Sequence, residues 1–190
     1  MIKRRFSERE ITELGLSVLV MSLAVAIANR ALFSFFIALV VIGPAFVLHE
    51  VGHKLTAQAY GYWAEYRMWR QGLFLALIFS FSGFVFVAPG AVYFADGGFV
   101  SRKSREIIGR IGISGPLVNL GLGGAFMLLY FIGGPVVGMI GYLGVYINAW
   151  LAVFNLIPFG PLDGKKVLAW NKTYWALTLL AGIGLFLWIR

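Results

Sequence analysis

The sequence predicts an all-α polytopic membrane protein with about five spanning helices and one re-entrant segment. Of its 190 residues, 60% are hydrophobic and only 13% are charged, whereas soluble domains carry about 25% charged residues. The apolar residues form runs of about 20, the length that a helix needs to cross the roughly 30 Å hydrocarbon layer of a bilayer. Composition and run length together indicate a protein whose outer surface faces lipid.

Four apolar runs are long enough to span the membrane as helices, and a fifth is nearly long enough. The first follows a basic N-terminus, but it is too long for the apolar region of a typical signal peptide, so we interpret it as a retained helix. In chain order, the predicted spans are 11–29, 31–58, 111–133, 136–158 and 173–189. We assign them to one transmembrane domain over residues 1–190, because no soluble domain or low-complexity linker interrupts them.

The segment between the second and third spans predicts a different structure. Residues 72–83 are apolar but only twelve in number, which is more typical of a re-entrant piece than of a span. Two β-branched and aromatic stretches, 84–88 and 91–95, flank Pro89-Gly90 and predict a β-hairpin. We therefore expect residues 72–95 to enter the membrane and return to the same side.

The distribution of positive charge predicts the orientation. If the N-terminus is cytoplasmic and residues 72–95 are re-entrant, 14 of the 16 Lys and Arg residues lie inside, as the positive-inside rule requires. Residues 101–110 are then cytoplasmic, and only Arg30 and Arg190 lie outside. The net charge of +8 is therefore a topology signal, and we expect no nucleic-acid partner. The predicted location is the cell membrane, with several spans and a cytoplasmic N-terminus.

The stretch His49-Glu50-Val51-Gly52-His53 predicts a metal centre. Residues four apart share one face of a helix, so both imidazoles can reach one ion, and Glu50 is placed to take a proton from water there. These are the two histidines of the chain. Glu50 also follows an apolar run, where an ionisable group is costly and usually functional. The alternative is two histidines packed in a helix bundle, with a nearby acid for charge balance.

A third ligand must be a carboxylate, because the chain has no cysteine and catalytic zinc usually takes three protein ligands and water. Asp163 is the acid that directly follows a spanning helix, in a stretch whose two prolines and two glycines should end the helix and aim the carboxylate inward. In the re-entrant topology, the second and fourth spans run in the same direction, so His49, His53 and Asp163 reach the same depth. A turn residue with no ligand role is the alternative for Asp163.

Three motifs resemble those of the site-2 protease family of intramembrane zinc metalloproteases. They are the HExxH at 49–53, an NxxPxxPLDG-like stretch at 155–164, and the sequence GPLVN at 115–119, which is similar to the GxxxN helix motif of the family. Their order and spacing make the resemblance specific over residues 49–164. We expect a compact member, since the 190 residues lack room for the PDZ or CBS domain of many members, so substrate selection by such domains is not carried over.

The resemblance implies a zinc metalloendopeptidase that hydrolyses peptide bonds of transmembrane proteins within or at the edge of the lipid bilayer. It implies one Zn²⁺ per chain, bound by His49, His53 and Asp163, with Glu50 as the catalytic acid/base. It also implies that Asn155 and Asn119 bind the substrate backbone, although each amide can instead join helices by hydrogen bonds. We further expect the 84–95 hairpin to pair with an extended substrate; the alternative is a passive cover over the site.

Two other functions compete with this hypothesis. The membrane family that processes CaaX proteins also uses HExxH, but its third ligand is a Glu from a later helix, and no Glu follows Glu106 here. A membrane metal transporter or inactive chaperone belongs to another class. A transporter needs ionisable groups along a path, whereas here they are concentrated at one depth.

Overall fold

Seven helices and two short strands make up the part of the chain that the structure, a computed structural model, describes: residues 6–85, 89–94 and 102–190. In chain order the elements are α1 (Glu8–Ala28), α2 (Phe33–Ala59), β1 (Ala64–Met68), α3 (Arg70–Ser80), β2 (Gly90–Phe94), α4 (Arg102–Ile132), α5 (Pro135–Asn155), α6 (Asp163–Trp170) and α7 (Lys172–Trp188).

The spanning helices follow the apolar runs of the sequence. Helices α1, α2, α4 and α5 are long and apolar enough to cross a membrane, and only 22–39% of their most apolar windows is buried inside the protein. Most of each helix can therefore contact lipid. Helix α7 has 17 residues, which is about 26 Å of helix and close to a full span. The predicted all-α membrane fold is confirmed.

Glycines allow α4 and α5 to pack closely. A Cβ atom on Gly141 would lie 2.4 Å from the backbone nitrogen of Tyr130, and one on Gly144 would lie 2.2 Å from the ring of Phe126. Because small residues let helices approach each other in a membrane, these two glycines place α5 directly against α4. This contact matters for the site, since both helices contribute asparagines to it.

The two strands form an antiparallel sheet, but they do not form the predicted hairpin. Strand β2 pairs with β1, in a register that places Val92 opposite Tyr66. The prediction of a hairpin over 84–95 is therefore wrong: 84 and 85 are not in a strand, and 86–88 and 95 lie outside the described residues. Pro89 and Gly90 do not turn the chain, because the backbone N–H of Trp69 donates to the Pro89 carbonyl (2.8 Å) and so continues the ladder.

Gly90 is required at the beginning of β2. Its φ of +151° is a conformation that residues with a side chain rarely adopt. A Cβ atom there would also lie 2.3 Å from the carbonyl oxygen of Arg67. Glycine occurs both in turns and where two backbones approach closely inside a sheet. The sequence alone does not distinguish these two uses, and for this reason it predicts a turn at Gly90.

The segment that joins the strands returns to the level at which it begins. Helix α3 has 11 residues, about 16 Å, which is too short to cross a bilayer. The last residue of β1, Met68, and the first residue of β2, Gly90, are paired with each other in the sheet. Because the chain leaves and re-enters at paired positions, the geometry is the one that a re-entrant segment requires.

Carboxylates of α1 cover the outer edge of β1. Glu10 accepts a hydrogen bond from the backbone N–H of Tyr66 (2.9 Å), and Glu13 accepts one from that of Met68 (2.8 Å). The Lys54 ammonium of α2 donates to Glu10 (2.5 Å) and to the Ala64 carbonyl (3.0 Å). Glu10 and Lys54 are buried, so this ion pair joins α1, α2 and the sheet in the interior.

Removing one partner of this ion pair should destabilise the protein strongly. Glu10→Ala leaves the Lys54 ammonium buried without its carboxylate, and we expect a loss of about 3–5 kcal/mol in the free energy of unfolding. Glu8→Ala on the exposed face of the same helix should change it by no more than about 0.5 kcal/mol. Unfolding by sodium dodecyl sulfate in mixed micelles measures both variants. Equal stability of the two would show that the buried pair does not anchor the sheet.

Candidate metal centre

The two histidines lie side by side on α2, as their spacing predicts. Their rings are buried, and the Nε2 atoms of His49 and His53 are 3.0 Å apart. Helix α2 begins at Phe33 and ends at Ala59, so both rings lie within the second apolar span.

Asp163 joins them from the beginning of α6. One oxygen of its carboxylate, Oδ2, lies 2.9 Å from Nε2 of His53 and 3.4 Å from Nε2 of His49. Gly164 makes this placement possible, because a Cβ atom there would lie 2.0 Å from the Leu156 carbonyl oxygen at the end of α5. The chain between α5 and α6 therefore folds back tightly enough to bring the carboxylate to the histidines.

The hydrogen bonds behind the rings assign the tautomer of both histidines. Nδ1 of His53 lies 2.7 Å from the Ile111 carbonyl oxygen, which can only accept. Nδ1 of His49 lies 2.5 Å from Oδ1 of Asn119. The Asn119 amide cannot be reversed, because its Nδ2 donates to the Ala45 carbonyl (3.0 Å). Both Nδ1 atoms therefore carry a hydrogen, and this is the arrangement that leaves Nε2 of a neutral ring available to bind a metal.

Three possible metal ligands thus converge. Two Nε2 atoms and one carboxylate oxygen lie 2.9–3.4 Å apart, and a cation among them, a proton or a metal ion, would offset the repulsion of their lone pairs. A tetrahedral ion with bonds of about 2.0–2.1 Å separates its ligands by about 3.3 Å, so the triangle fits zinc closely. In the ranges that the structure describes, His49, His53 and Asp163 form the one such cluster of metal-binding side chains.

The second oxygen of Asp163 is held by a cation. The Lys166 ammonium, one turn along α6, donates to Oδ1 of Asp163 (2.9 Å). This contact leaves Oδ2 to face the histidines and balances the charge of the buried carboxylate.

Glu50 adjoins the ligands but contacts a strand. The residue is 8% exposed, and Oε2 of its carboxylate accepts a hydrogen bond from the backbone N–H of Val92 in β2 (3.0 Å). The candidate acid/base therefore lies between the metal-binding face of α2 and the sheet. The sequence predicts no link between Glu50 and residue 92.

The two predicted substrate-binding asparagines lie in different surroundings. Asn119 is fully buried, and its amide contacts His49, Ala45 and the Asn148 side chain. It orients a histidine in this structure. Asn155, at the end of α5, is partly buried and donates to the Leu151 carbonyl of its own helix (3.0 Å). Substrate binding by either residue remains a prediction.

Asn148 completes this network and was not among the predicted residues. Its Oδ1 accepts from Asn119 (2.9 Å), and its Nδ2 donates to the Gly144 carbonyl (2.9 Å). It is fully buried. A polar residue in the middle of an apolar span often has a functional role, and this signal in the sequence could have identified Asn148.

Gly115 lies against both metal-binding rings. A Cβ atom at this position would be 2.5 Å from Nε2 of His53 and 2.6 Å from Nε2 of His49. The glycine of the GPLVN sequence therefore leaves the space in which the three donors meet.

Loss of the Asn119 hydrogen bond should weaken metal binding. Asn119→Ala removes the acceptor that holds the His49 ring, and such changes usually cost about 10–100-fold in metal affinity. Asn155→Ala is the matched control, because its amide bonds only within its own helix. Competition with a fluorescent zinc chelator measures both. Unchanged zinc affinity in Asn119→Ala would contradict the orienting role.

Similarity to curated proteins extends along nearly the whole chain. A protein of Methanocaldococcus jannaschii named "Putative zinc metalloprotease" is 39% identical over 188 residues, which cover 97% of this chain and 96% of that protein. A second protein of that organism, named "Zinc metalloprotease", is 29% identical over 154 residues, or 79% of this chain and 38% of that protein. No family model matches the chain, and no solved structure matches it.

Proposed function

The chain belongs to the site-2 protease-like family of zinc metalloproteases, and we propose that it hydrolyses peptide bonds of transmembrane proteins within or at the edge of the bilayer. The observation that carries this proposal is the position of the donor cluster. His49, His53 and Asp163 are buried among helices that are apolar enough to cross a membrane. A peptide bond that reaches them must come from the membrane or from its surface.

His49, His53 and Asp163 would bind one zinc ion. Bound there, zinc would supply Lewis-acid chemistry for peptide hydrolysis. Glu50 would take a proton from the attacking water and deliver it to the departing amine, a contribution of about 10²–10⁴-fold in rate. Asn155 is the candidate donor to the developing oxyanion. For Asn155 to act in this way, its Nδ2 must give up the hydrogen bond that it donates to the Leu151 carbonyl and donate to the substrate instead.

The outer edge of β2 would hold the substrate in an extended form. A transmembrane helix satisfies all its backbone groups internally, so its peptide bonds are inaccessible until it unwinds. A sheet edge replaces the lost hydrogen bonds by pairing with the unwound segment. Strand β2 lies beside Glu50, so a segment paired there would pass the acid/base. The substrate pairing that the sequence assigns to an 84–95 hairpin is therefore proposed for β2 alone.

A cleavage assay tests the function. The purified chain, loaded with zinc in bicelles, should cut a model transmembrane substrate, lose this activity with a chelator and regain it when zinc is restored. Cleavage in bicelles but not of a soluble peptide of the same sequence would support a membrane substrate. A zinc-loaded chain that cuts neither would overturn the proposal and favour a non-enzymatic metal carrier.

We also propose a cell-membrane location with a cytoplasmic N-terminus, and single cysteines can test it because the chain has none. Cysteines in place of Trp63 and Arg105 flank the re-entrant segment, and one in place of Gly134 lies between α4 and α5. In intact cells, an impermeant reagent should label only Gly134→Cys. In inverted vesicles it should label the other two. Labelling of Trp63→Cys and Arg105→Cys from opposite sides would contradict the re-entrant topology.

A further inference from the structure

We propose that the backbone N–H of Val92 is exchanged between Glu50 and the substrate. In the free chain it holds the Glu50 carboxylate, and an extended substrate that pairs with β2 takes this N–H with its own carbonyl and releases Glu50 to act as the base. This inference rests on the proposed function and adds a coupling between substrate binding and activation of the acid/base.

The register of the sheet determines which way the Val92 N–H points. Val92 faces Tyr66 in the pairing, and the N–H of Tyr66 donates away from β2, to Glu10. The N–H of Trp69, three positions on, donates to Pro89 across the sheet. Tyr66 and Val92 are therefore a non-hydrogen-bonded pair of the antiparallel ladder. Both of their N–H groups point outward, and that of Val92 lies on the edge a new strand would join.

The two edges of the sheet are occupied differently in the described part of the chain. On β1, the outward N–H groups of Tyr66 and Met68 are occupied by carboxylates of α1, one of which is locked in a buried ion pair with Lys54. On β2, the outward N–H of Val92 is occupied by Glu50. A strand that extends this sheet must therefore join at β2, where it meets the acid/base.

Substrate pairing and the Glu50 contact compete for one donor. The N–H groups of alternate residues in β2 point to its outer edge, and a strand that joins there in either direction would accept from them. Val92 is the central residue of β2, so its N–H is among them. A carboxylate is a stronger acceptor than a peptide carbonyl, so Glu50 opposes pairing. Once the N–H has passed to the substrate, the Glu50 carboxylate is no longer held against β2 and can turn toward the water from which it takes a proton. No covalent bond changes in the exchange.

A binding cycle tests the exchange independently of turnover. The probe is a dye-labelled transmembrane peptide of the model substrate, with its scissile amide reduced to CH₂–NH so that it cannot be hydrolysed. Its Kd is measured on the zinc-loaded full chain in bicelles. Glu50→Ala removes the competitor and should tighten binding about tenfold, the scale of one charge-assisted hydrogen bond. Glu50→Gln, a neutral acceptor of the same shape, should give an intermediate value.

The second arm removes the donor. Replacing Val92 by its α-hydroxy acid converts the amide to an ester without changing the side chain, and Glu50→Ala should then no longer tighten binding. The matched control is the same change at Tyr93, which faces Glu65 in the sheet and whose N–H points toward β1 by the alternation. There, Glu50→Ala should still tighten binding about tenfold. This control also detects a general loss of sheet stability.

Two outcomes overturn the inference. One is a Glu50→Ala chain that binds the peptide no more tightly than the unchanged chain. The other is equal tightening with the Val92 amide and with the ester. If the unchanged chain cuts the model substrate while either result holds, the exchange fails and the proposed function stands. If the unchanged chain cuts nothing, the proposed function itself fails.

Discussion

Asp163→Asn should lose zinc and activity together, whereas Glu50→Gln should keep zinc and lose about 10²–10⁴-fold in turnover. The Asp163 carboxylate lies within 2.9–3.4 Å of both histidine Nε2 atoms, and metal affinity depends on the number and charge of the ligands. Asparagine keeps the shape of the side chain but not its charge. A folded protein with a weakened metal site is therefore the expected result.

Glu50→Gln is the matched comparison, because it changes an adjoining carboxylate by the same chemistry. The Gln amide oxygen can still accept from the Val92 N–H that Glu50 engages, so the strand should stay in place. It cannot take a proton from water, and the expected loss is the general acid/base contribution. Zinc content by mass spectrometry beside the cleavage rate separates the two variants.

Full zinc content and full activity in Asp163→Asn would place the third ligand elsewhere. Three acids would be tested next: Glu65, which is paired with Arg67 (2.6 Å); Glu106, which is half exposed and paired with Arg110; and Asp96, which lies outside the described residues. Loss of zinc in Glu50→Gln would instead make Glu50 a ligand and would remove the acid/base from the mechanism.

Gly115→Ala should abolish zinc binding in a folded protein. The added methyl group would lie 2.5–2.6 Å from the Nε2 atoms of both histidines, inside the space that the ion needs. Moving either ring away breaks the short hydrogen bonds that His49 makes to Asn119 and His53 makes to Ile111. Activity should fall to the level of the chelated enzyme.

Gly121→Ala on the same helix is the control, because no atom lies within 4 Å of a Cβ there. Alanine favours a helix over glycine by about 1 kcal/mol, so neither change should unfold α4. Zinc content and thermal unfolding of both variants decide the result. If Gly115→Ala bound zinc as tightly as Gly121→Ala, the donors would meet somewhere other than in the space beside α4.

Local patterns predicted the parts of the fold and site that depend on neighbours in sequence. The spans follow hydrophobic runs, and the pair His49 and His53 follows the period of the helix. The sequence does not predict strand β1, and the partner that it predicts for β2 is wrong, because the pairing joins residues 64–68 to 90–94 across a helix. The turn composition of Pro89-Gly90 is the same whether the chain reverses or continues a ladder there.

The residues that support the metal ligands are defined by contacts between helices. The spacing of residues along one helix does not predict such contacts. Asn119 matched a family motif, but its bond to His49 and its dependence on Asn148 exist only because α4 packs between α2 and α5. Helix α6 was also not predicted. It has only eight residues, and its apolar positions are too few to produce a periodic pattern.

The carboxylates that cover β1 determine how many segments the sheet can receive. A two-stranded sheet has two edges, and each could pair with a strand of another molecule. Because Glu10 and Glu13 occupy the outward N–H groups of β1, two copies of the chain cannot join through that edge into a continuous sheet. On the proposed function, the sheet would therefore receive one extended segment per chain, and a second segment would pair only after the first had left β2.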